Sequence, residues 1–345
     1  MQVEKAGLYR YLTALALGIA VLLPFLAGMS FYILNVAIIM LTFILFSSAW
    51  NFLAYSGQAS LGHAAFFGIG AYVSTLVARA TGFSPFGTIL IGGLMAAFIG
   101  LLIGLTCARL KEWFLAMVTF GFAVILQAII ASPLAATTGG WDGIGAPRLL
   151  PAGISDYLAY EYYAILAITA VSILCLHLIL RSRAGLAFAA IRENEVEARA
   201  SGIRPVRYKL FAFTVSSFLA GIAGALEIHH ISFISPEIFH AEISFWPVIY
   251  SIFGGLGTII GPILGTVILT IVWEGLKGFG LTFERFIIIG ALLILVVIFL
   301  PRGLVSLPEE IRKWKEGRRK RGAEPGAPEE GCSRGLHPRL HLRKG

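Results

Sequence analysis

Charge is what this 345-residue sequence has least of: Asp, Glu, Lys and Arg make up 13% of it, against roughly a quarter in an average soluble domain. With 57% apolar residues and a mean hydropathy of +0.83, there is too little polar surface to coat a water-soluble fold, which makes this a membrane protein. Cysteine is nearly missing too. Cys107, Cys175 and Cys332 have no metal-ligand spacing and build no disulfide framework. No GxxxxGK[ST] run occurs, so the chain lacks a phosphate-binding loop of that kind with which to hydrolyse a nucleotide. HExxH and nucleophile-elbow motifs are also missing. His63, beside Ser56 and Ser60, therefore reads as a hydrogen bond between helices rather than as a catalytic group. No catalytic, cofactor or metal residue is assigned. The net charge of +8 comes from basic residues in two segments that flank apolar runs, a membrane pattern that argues against nucleic-acid binding.

What the sequence does have is long uncharged runs. They lack the alternation of a transmembrane barrel, and in hydrocarbon a continuous run must satisfy its own backbone as a helix. We read spans at 11–28, 31–54, 61–78, 86–107, 113–131, 160–180, 208–228, 243–258, 260–276 and 284–300. The fold class is an all-α polytopic bundle of about 8–10 membrane segments, re-entrant or broken helices among them. Lys5 and Arg10 precede the first run, which reads as a span rather than a cleaved signal because so many spans follow.

A cytoplasmic N-terminus places Arg109, Lys111, the 181–209 segment and the C-terminal tail inside, as the positive-inside rule requires. Residues 1–305 then form the membrane domain, and 306–345 a basic cytoplasmic tail whose Pro, Gly and charge beyond Gly322 suggest disorder.

Two stretches interrupt the apolar pattern, SGQASLGHAAFFGIGAY at 56–72 and FGGLGTIIGPILG at 253–265. Their glycines suit either close helix packing or a backbone-lined substrate path. For the path the candidates are Gln58, Ser60, Gly62, His63, Gly254, Gly255 and Gly257. TTGGWDGIGAPRLLPAG, 137–153, reads as an exposed loop whose Trp141 suits the headgroup level.

Ten of the 46 charged residues crowd between Arg181 and Lys209. Within that segment Gly185, Ala189, Val196 and Ala200 share one narrow helical arc, with Arg192 and Arg199 on one side and Glu193 and Glu197 on the other. Gly202 and Pro205 stop a helix of about four turns. A small-residue face with charged flanks suits docking in a cleft of another protein, and a solvated connector is the alternative.

At this point the sequence resembles the permease subunits of bacterial ATP-binding-cassette importers for branched-chain amino acids. The similar stretches are the two above, LAMVTFGFAVIL at 115–126, TGGWDGIG at 138–145, SRAGLAFAAIRENEVEARASGIRPVRYKLFAF at 182–213, FLAGIAGAL at 218–226, SPE at 235–237 and FLPRGL at 299–304. The resemblance implies that 184–202 is the coupling helix. Gly185, Ala190, Ile191, Arg192, Glu193, Glu195, Ala198 and Gly202 match the motif that meets the ATPase, and Ala189, Val196 and Ala200 complete the expected contact. It further implies a second related permease in a heterodimer, two cytoplasmic ATPases that bind ATP and Mg in place of this chain, and an external solute-binding protein. The location is the bacterial inner membrane. Leucine, isoleucine and valine are the expected substrates, with urea or short amides as an alternative. An ion-coupled secondary transporter is the alternative of another class, and it would need ionisable groups at mid-depth, whereas Glu161, Glu227 and Glu274 fall near span ends. Glu227, beside His229 and His230, departs from the family's uncharged pattern and suits an interfacial cluster or an adaptation to substrate.

Overall fold

A computed structural model describes residues 18–25, 28, 30–107, 110, 112–151, 156–281 and 284–307. By contacts the chain divides into Met1–Val305 and Ser306–Gly345. Every helix below belongs to the first unit. Arg109, Lys111, Cys332 and the tail from 308 onward lie outside the described residues, as does half of the expected 11–28 span.

The elements are α1 (residues 18–25), α2 (Phe31–Tyr55), α3 (His63–Thr81), α4 (Pro85–Cys107), α5 (Glu112–Ala131), α6 (Ala135–Thr138), α7 (Tyr157–Arg181), α8 (Arg183–Glu193), α9 (Glu195–Ala200), α10 (Pro205–Ile231), α11 (Ala241–Gly254), α12 (Ile260–Gly278) and α13 (Glu284–Phe299). Among the described residues seven of these helices, α2 to α5, α7, α10 and α12, are long and apolar enough to cross a bilayer. A two-residue ribbon, β1 (Ile144–Gly145) against β2 (Phe233–Ile234), joins the long loop after α6 to the end of α10.

Two expected spans come out shorter. The 243–258 run is α11, 14 residues with Pro247 inside, or about 21 Å at 1.5 Å per residue, which is less than the roughly 30 Å of a hydrocarbon core. It stops because Gly255 turns to φ +136 and lets the chain fold back on Gly261. The 284–300 run is the 16-residue α13. Two expected spans start three residues earlier: α7 begins at Tyr157, and Pro205 in the first turn of α10 brings Arg207 into the helix ahead of its apolar body.

Helix α10 is the centre, packed against α2, α3 and α4. Its stretch FLAGIAGAL presents almost no side chain where it crosses α3. A Cβ on Gly70 would overlap the backbone of Gly221, and one on Gly92 would overlap the Gly70 carbonyl. Such small-residue contacts let backbones approach and collect dispersion energy in a medium where helix association gains nothing from the hydrophobic effect. Polar side chains tie the helices as well. His63 on α3 meets Ser216 on α10 at 2.7 Å, and the Ser216 hydroxyl donates to the Ala49 carbonyl on α2 at 2.6 Å. Since that hydroxyl has one proton, Ser216 accepts from His63 Nε2–H.

The glycine crossing yields a direct test. Gly221→Val, whose Cβ would meet Ala96 and Gly93, forces α4 and α10 apart, and overpacking of this kind costs about 1–3 kcal/mol or more. Gly275→Val on α12, where no described residue lies within 4 Å of the added Cβ, is the matched control. Thermal unfolding of the purified protein in detergent should drop clearly for the first variant and little for the second. Equal behaviour would remove the crossing as the centre of the fold.

Candidate functional site

The charged segment folds as two helices where one is expected. Asn194 breaks it, extended at φ −155 and ψ 109, and its Oδ1 caps α9 by accepting from Val196 N at 3.0 Å and Glu197 N at 3.4 Å. An Asn favours this role because its side chain satisfies backbone donors that a continuing helix would otherwise bond. Ser182 caps α8 in the same way, accepting from Ala184 N at 3.1 Å.

The expected contact residues divide into an outward and an inward set. Ala189, Glu193, Val196 and Ala200 are exposed, Val196 at 77%, while Leu186, absent from the expected set, is 73% exposed among them. Ile191 and Ala198 are buried, and Ala190 is half-buried. Phe188 is buried beside them and meets Phe52 of α2 edge-on at 5.6 Å. Gly185 turns inward, its α-carbon held against the Leu180 carbonyl by the sharp turn between α7 and α8. Glu195 is occupied within the chain, 2.6 Å from Lys209 Nζ and 3.1 Å from Arg199. Gly202, at φ +83, closes α9. An open groove of ≈ 590 Å³ lies beside α9, lined by Glu195, Arg199, Ile203, Arg204, Pro205 and Val206.

Arg192 joins the two glycine-rich stretches. Its α-carbon would lie 3.3 Å from a Cβ on Gly57, and its Nη1 2.6 Å from one on Gly257. Both stretches are pinned by adjacent residues of α2. Trp50 Nε1 donates to the Ser60 carbonyl at 2.7 Å. Asn51 Nδ2 donates to the Thr258 carbonyl at 2.7 Å, while its Oδ1 accepts from Gly257 N at 2.9 Å.

The sequence-predicted path residues sit in packed protein. Gln58 accepts from Ser56 Oγ at 3.0 Å, Ser60 and His63 are fully buried, and Gly62 touches the Thr119 backbone. Gly254 and Gly255 both press on the backbone of Gly261, and Gly257 is half-buried. The adjoining hollow, lined by Ser48, Asn51, Phe52, Tyr55 and residues of α7, has ≈ 10 Å³, room for about one water.

At the far end of the bundle Glu227, His229 and His230 do not form one cluster. His229 bonds Ser74 and the Pro147 carbonyl, at 2.7 and 2.6 Å. His230 meets Glu161 at 3.0 Å instead. Glu227 Oε2 is buried without a hydrogen-bond partner among the described residues.

Comparison with known proteins gives these features a frame. Residues 32–297 match the family described as branched-chain amino acid transport system, permease component. The high-affinity branched-chain amino acid transport system permease protein LivM of Escherichia coli is 30% identical over 286 residues, covering 76% of this chain and 67% of the relative. The LivH permease protein of the same organism is 32% identical over 145 residues, 41% of this chain and 46% of LivH. The ribose import permease protein RbsC, also from Escherichia coli, is 27% identical over 168 residues, 46% of this chain and 48% of RbsC. No solved structure matches the chain.

The α2 clamp can be tested alone. Asn51→Leu leaves the Gly257 N–H and the Thr258 carbonyl without their partner, a loss of about 1–3 kcal/mol. Asn35→Leu, which removes only a bond to Phe31 of its own helix, should stay within about 0.5 kcal/mol. Unfolding in detergent reads both, and an unchanged Asn51→Leu would contradict the clamp.

Proposed function

The chain belongs to the branched-chain amino acid permease family, and from that premise we propose that it is the membrane subunit of an ATP-driven importer of leucine, isoleucine or valine. The observation that carries the reading is the exposed outer face of α8 and α9. Ala189, Val196 and Ala200 are exposed on the charged segment, joined there by Leu186. Exposed apolar side chains flanked by charges suit a protein cleft better than water. In this reading the cleft belongs to a cytoplasmic ATPase, two copies of which hold ATP and Mg. A second related permease completes the path, and an external binding protein delivers the substrate.

The match to a ribose permease protein argues that the scaffold itself is not tied to one substrate. The choice among leucine, its congeners and small amides then falls to the binding protein. Ion coupling finds less support, because the matching family is a transport-system permease component and Glu161 and Glu274 are already paired, the first with His230, the second with Lys277 and Tyr32. Reconstituted alone, the chain should give no concentrative leucine uptake under imposed ion gradients, whereas the full complex with ATP should. Uptake by the chain alone would overturn the importer reading.

Docking is tested on the outward face. Ala189→Trp and Ala200→Trp should each weaken pull-down of the ATPase and binding-protein-stimulated hydrolysis several-fold, as overpacking a fitted contact costs about 1–3 kcal/mol. Unchanged association and hydrolysis in both would return the segment to a connector.

Orientation has its own check. In a background lacking Cys107, Cys175 and Cys332, Val196→Cys should react with an impermeant thiol reagent only after the membrane is opened. Asp142→Cys, exposed on the loop after α6, should react in intact cells. Reversed labelling would place both termini outside.

A further inference from the structure

After α10 the chain re-enters the bundle. Ser216 of α10 bonds His63, the first residue of α3, and the next residue, Ala64, donates its backbone N–H to Ser244 Oγ at 3.0 Å. Ser244 is therefore level with Ser216. That level lies about 16 Å from the first residue of α10 and about 22 Å from its last, Ile231, at 1.5 Å per residue. Between Ile231 and Ser244 the chain thus drops by roughly 20 Å, through strand β2, a short 3-10 helix at Pro236–Phe239 and the first turn of α11.

The descent is held at three points. Strand β2 pairs with β1 at the top. Lower down, Gln127 of α5 donates to the Pro236 carbonyl at 3.2 Å. Deepest, Phe239 stacks on Tyr72 with ring centroids 5.8 Å apart and fills the space that a Cβ on Gly68 would occupy. Helix α11 starts two residues later, in the middle of the bundle's height.

This segment carries charge where a membrane allows little. Glu237, His240 and Glu242 are all exposed, the last two close to the level of Ser244. An ionised side chain facing lipid near the bilayer centre costs about 2.5–3.5 kcal/mol or more, and non-helical backbone persists at depth only against protein or water. Lipid is therefore excluded as the neighbour of this face. The described residues of this chain do not cover it either, because all three side chains are exposed.

We propose that residues 232–245, flanked by α5, form one wall of an aqueous translocation path, closed from the other side by a second related permease, with His240 and Glu242 in its water at mid-depth. This rests on the importer reading above and adds to it the place of the path. The path then runs along the surface of this chain, beside the buried glycine stretches rather than through them.

The test uses the complete complex of both permeases, the ATPases and the binding protein in proteoliposomes, in a background free of other cysteines. ATP-driven leucine uptake is measured first for every variant, so that loss of the importer reading is scored separately from loss of the wall. Glu242→Cys and His240→Cys are each treated with a small anionic thiosulfonate. Val171→Cys, exposed on the middle of α7, serves as the lipid-facing comparison. Both wall positions should react at least about tenfold faster than Val171→Cys, because a charged reagent does not enter hydrocarbon. Either variant suffices if the other fails to assemble. ATP-driven uptake with wall positions as slow as Val171→Cys would overturn the proposal and leave the importer reading standing.

Discussion

The structure depends on how closely α10 can approach α3 and α4. At Gly70, Gly92 and Gly221 backbone lies on backbone, and no residue with a Cβ fits there without moving a helix. In lipid that contact has no hydrophobic drive behind it, so its strength comes from dispersion over short distances and from hydrogen bonds that cannot be traded for water. The His63–Ser216–Ala49 relay is aligned by the same approach. So is the stacking of Phe239 on Tyr72, which needs the room that Gly68 leaves. The irregular segments can exist at membrane depth because this core holds them in register.

Around the core, the non-helical stretches find their partners on neighbouring helices. Trp50 and Asn51 serve two of them from consecutive positions of α2. Thr119 serves the first again, as its hydroxyl accepts from Leu61 N at 3.2 Å. These bonds meet the demand that buried backbone be satisfied. They also mean that the stretches respond to α2 and α5, not to solvent. Arg192 brings the charged segment into the same junction, which makes the outer helices and the glycine stretches mechanical neighbours although they are far apart in sequence.

Much of this was legible in advance, for identifiable reasons. The spans at 86–107 and 113–131 fall within a residue or so of α4 and α5, because an uncharged run in lipid has one way to satisfy its backbone. The short α11 was not legible, since hydropathy continues through Phe253 to Ile259 while the backbone turns at Gly255. The break at Asn194 was missed because the small-residue arc is a periodic signal that runs through the position, whereas a capping Asn is a local one. Leu186 escaped a search for small residues. Asn51 lay hidden in an apolar run, although an amide there was a signal in itself, as such a group must find a partner. Glu237, His240 and Glu242 could not be placed at depth from sequence, because their level is set by Phe239 and Ser244 meeting α3.

The division of the charged segment at Asn194 makes it a jointed element. Its first arm is fastened to α2 through the edge-on contact of Phe188 with Phe52, and to α10 through the same ring against Tyr208 and Phe211. The second arm is fastened to α10 through the ion pair of Glu195 and Lys209. A displacement of the first arm would thus reach both the helix that pins the glycine stretches and the central helix, whereas one of the second arm would reach the central helix against which α2, α3 and α4 pack.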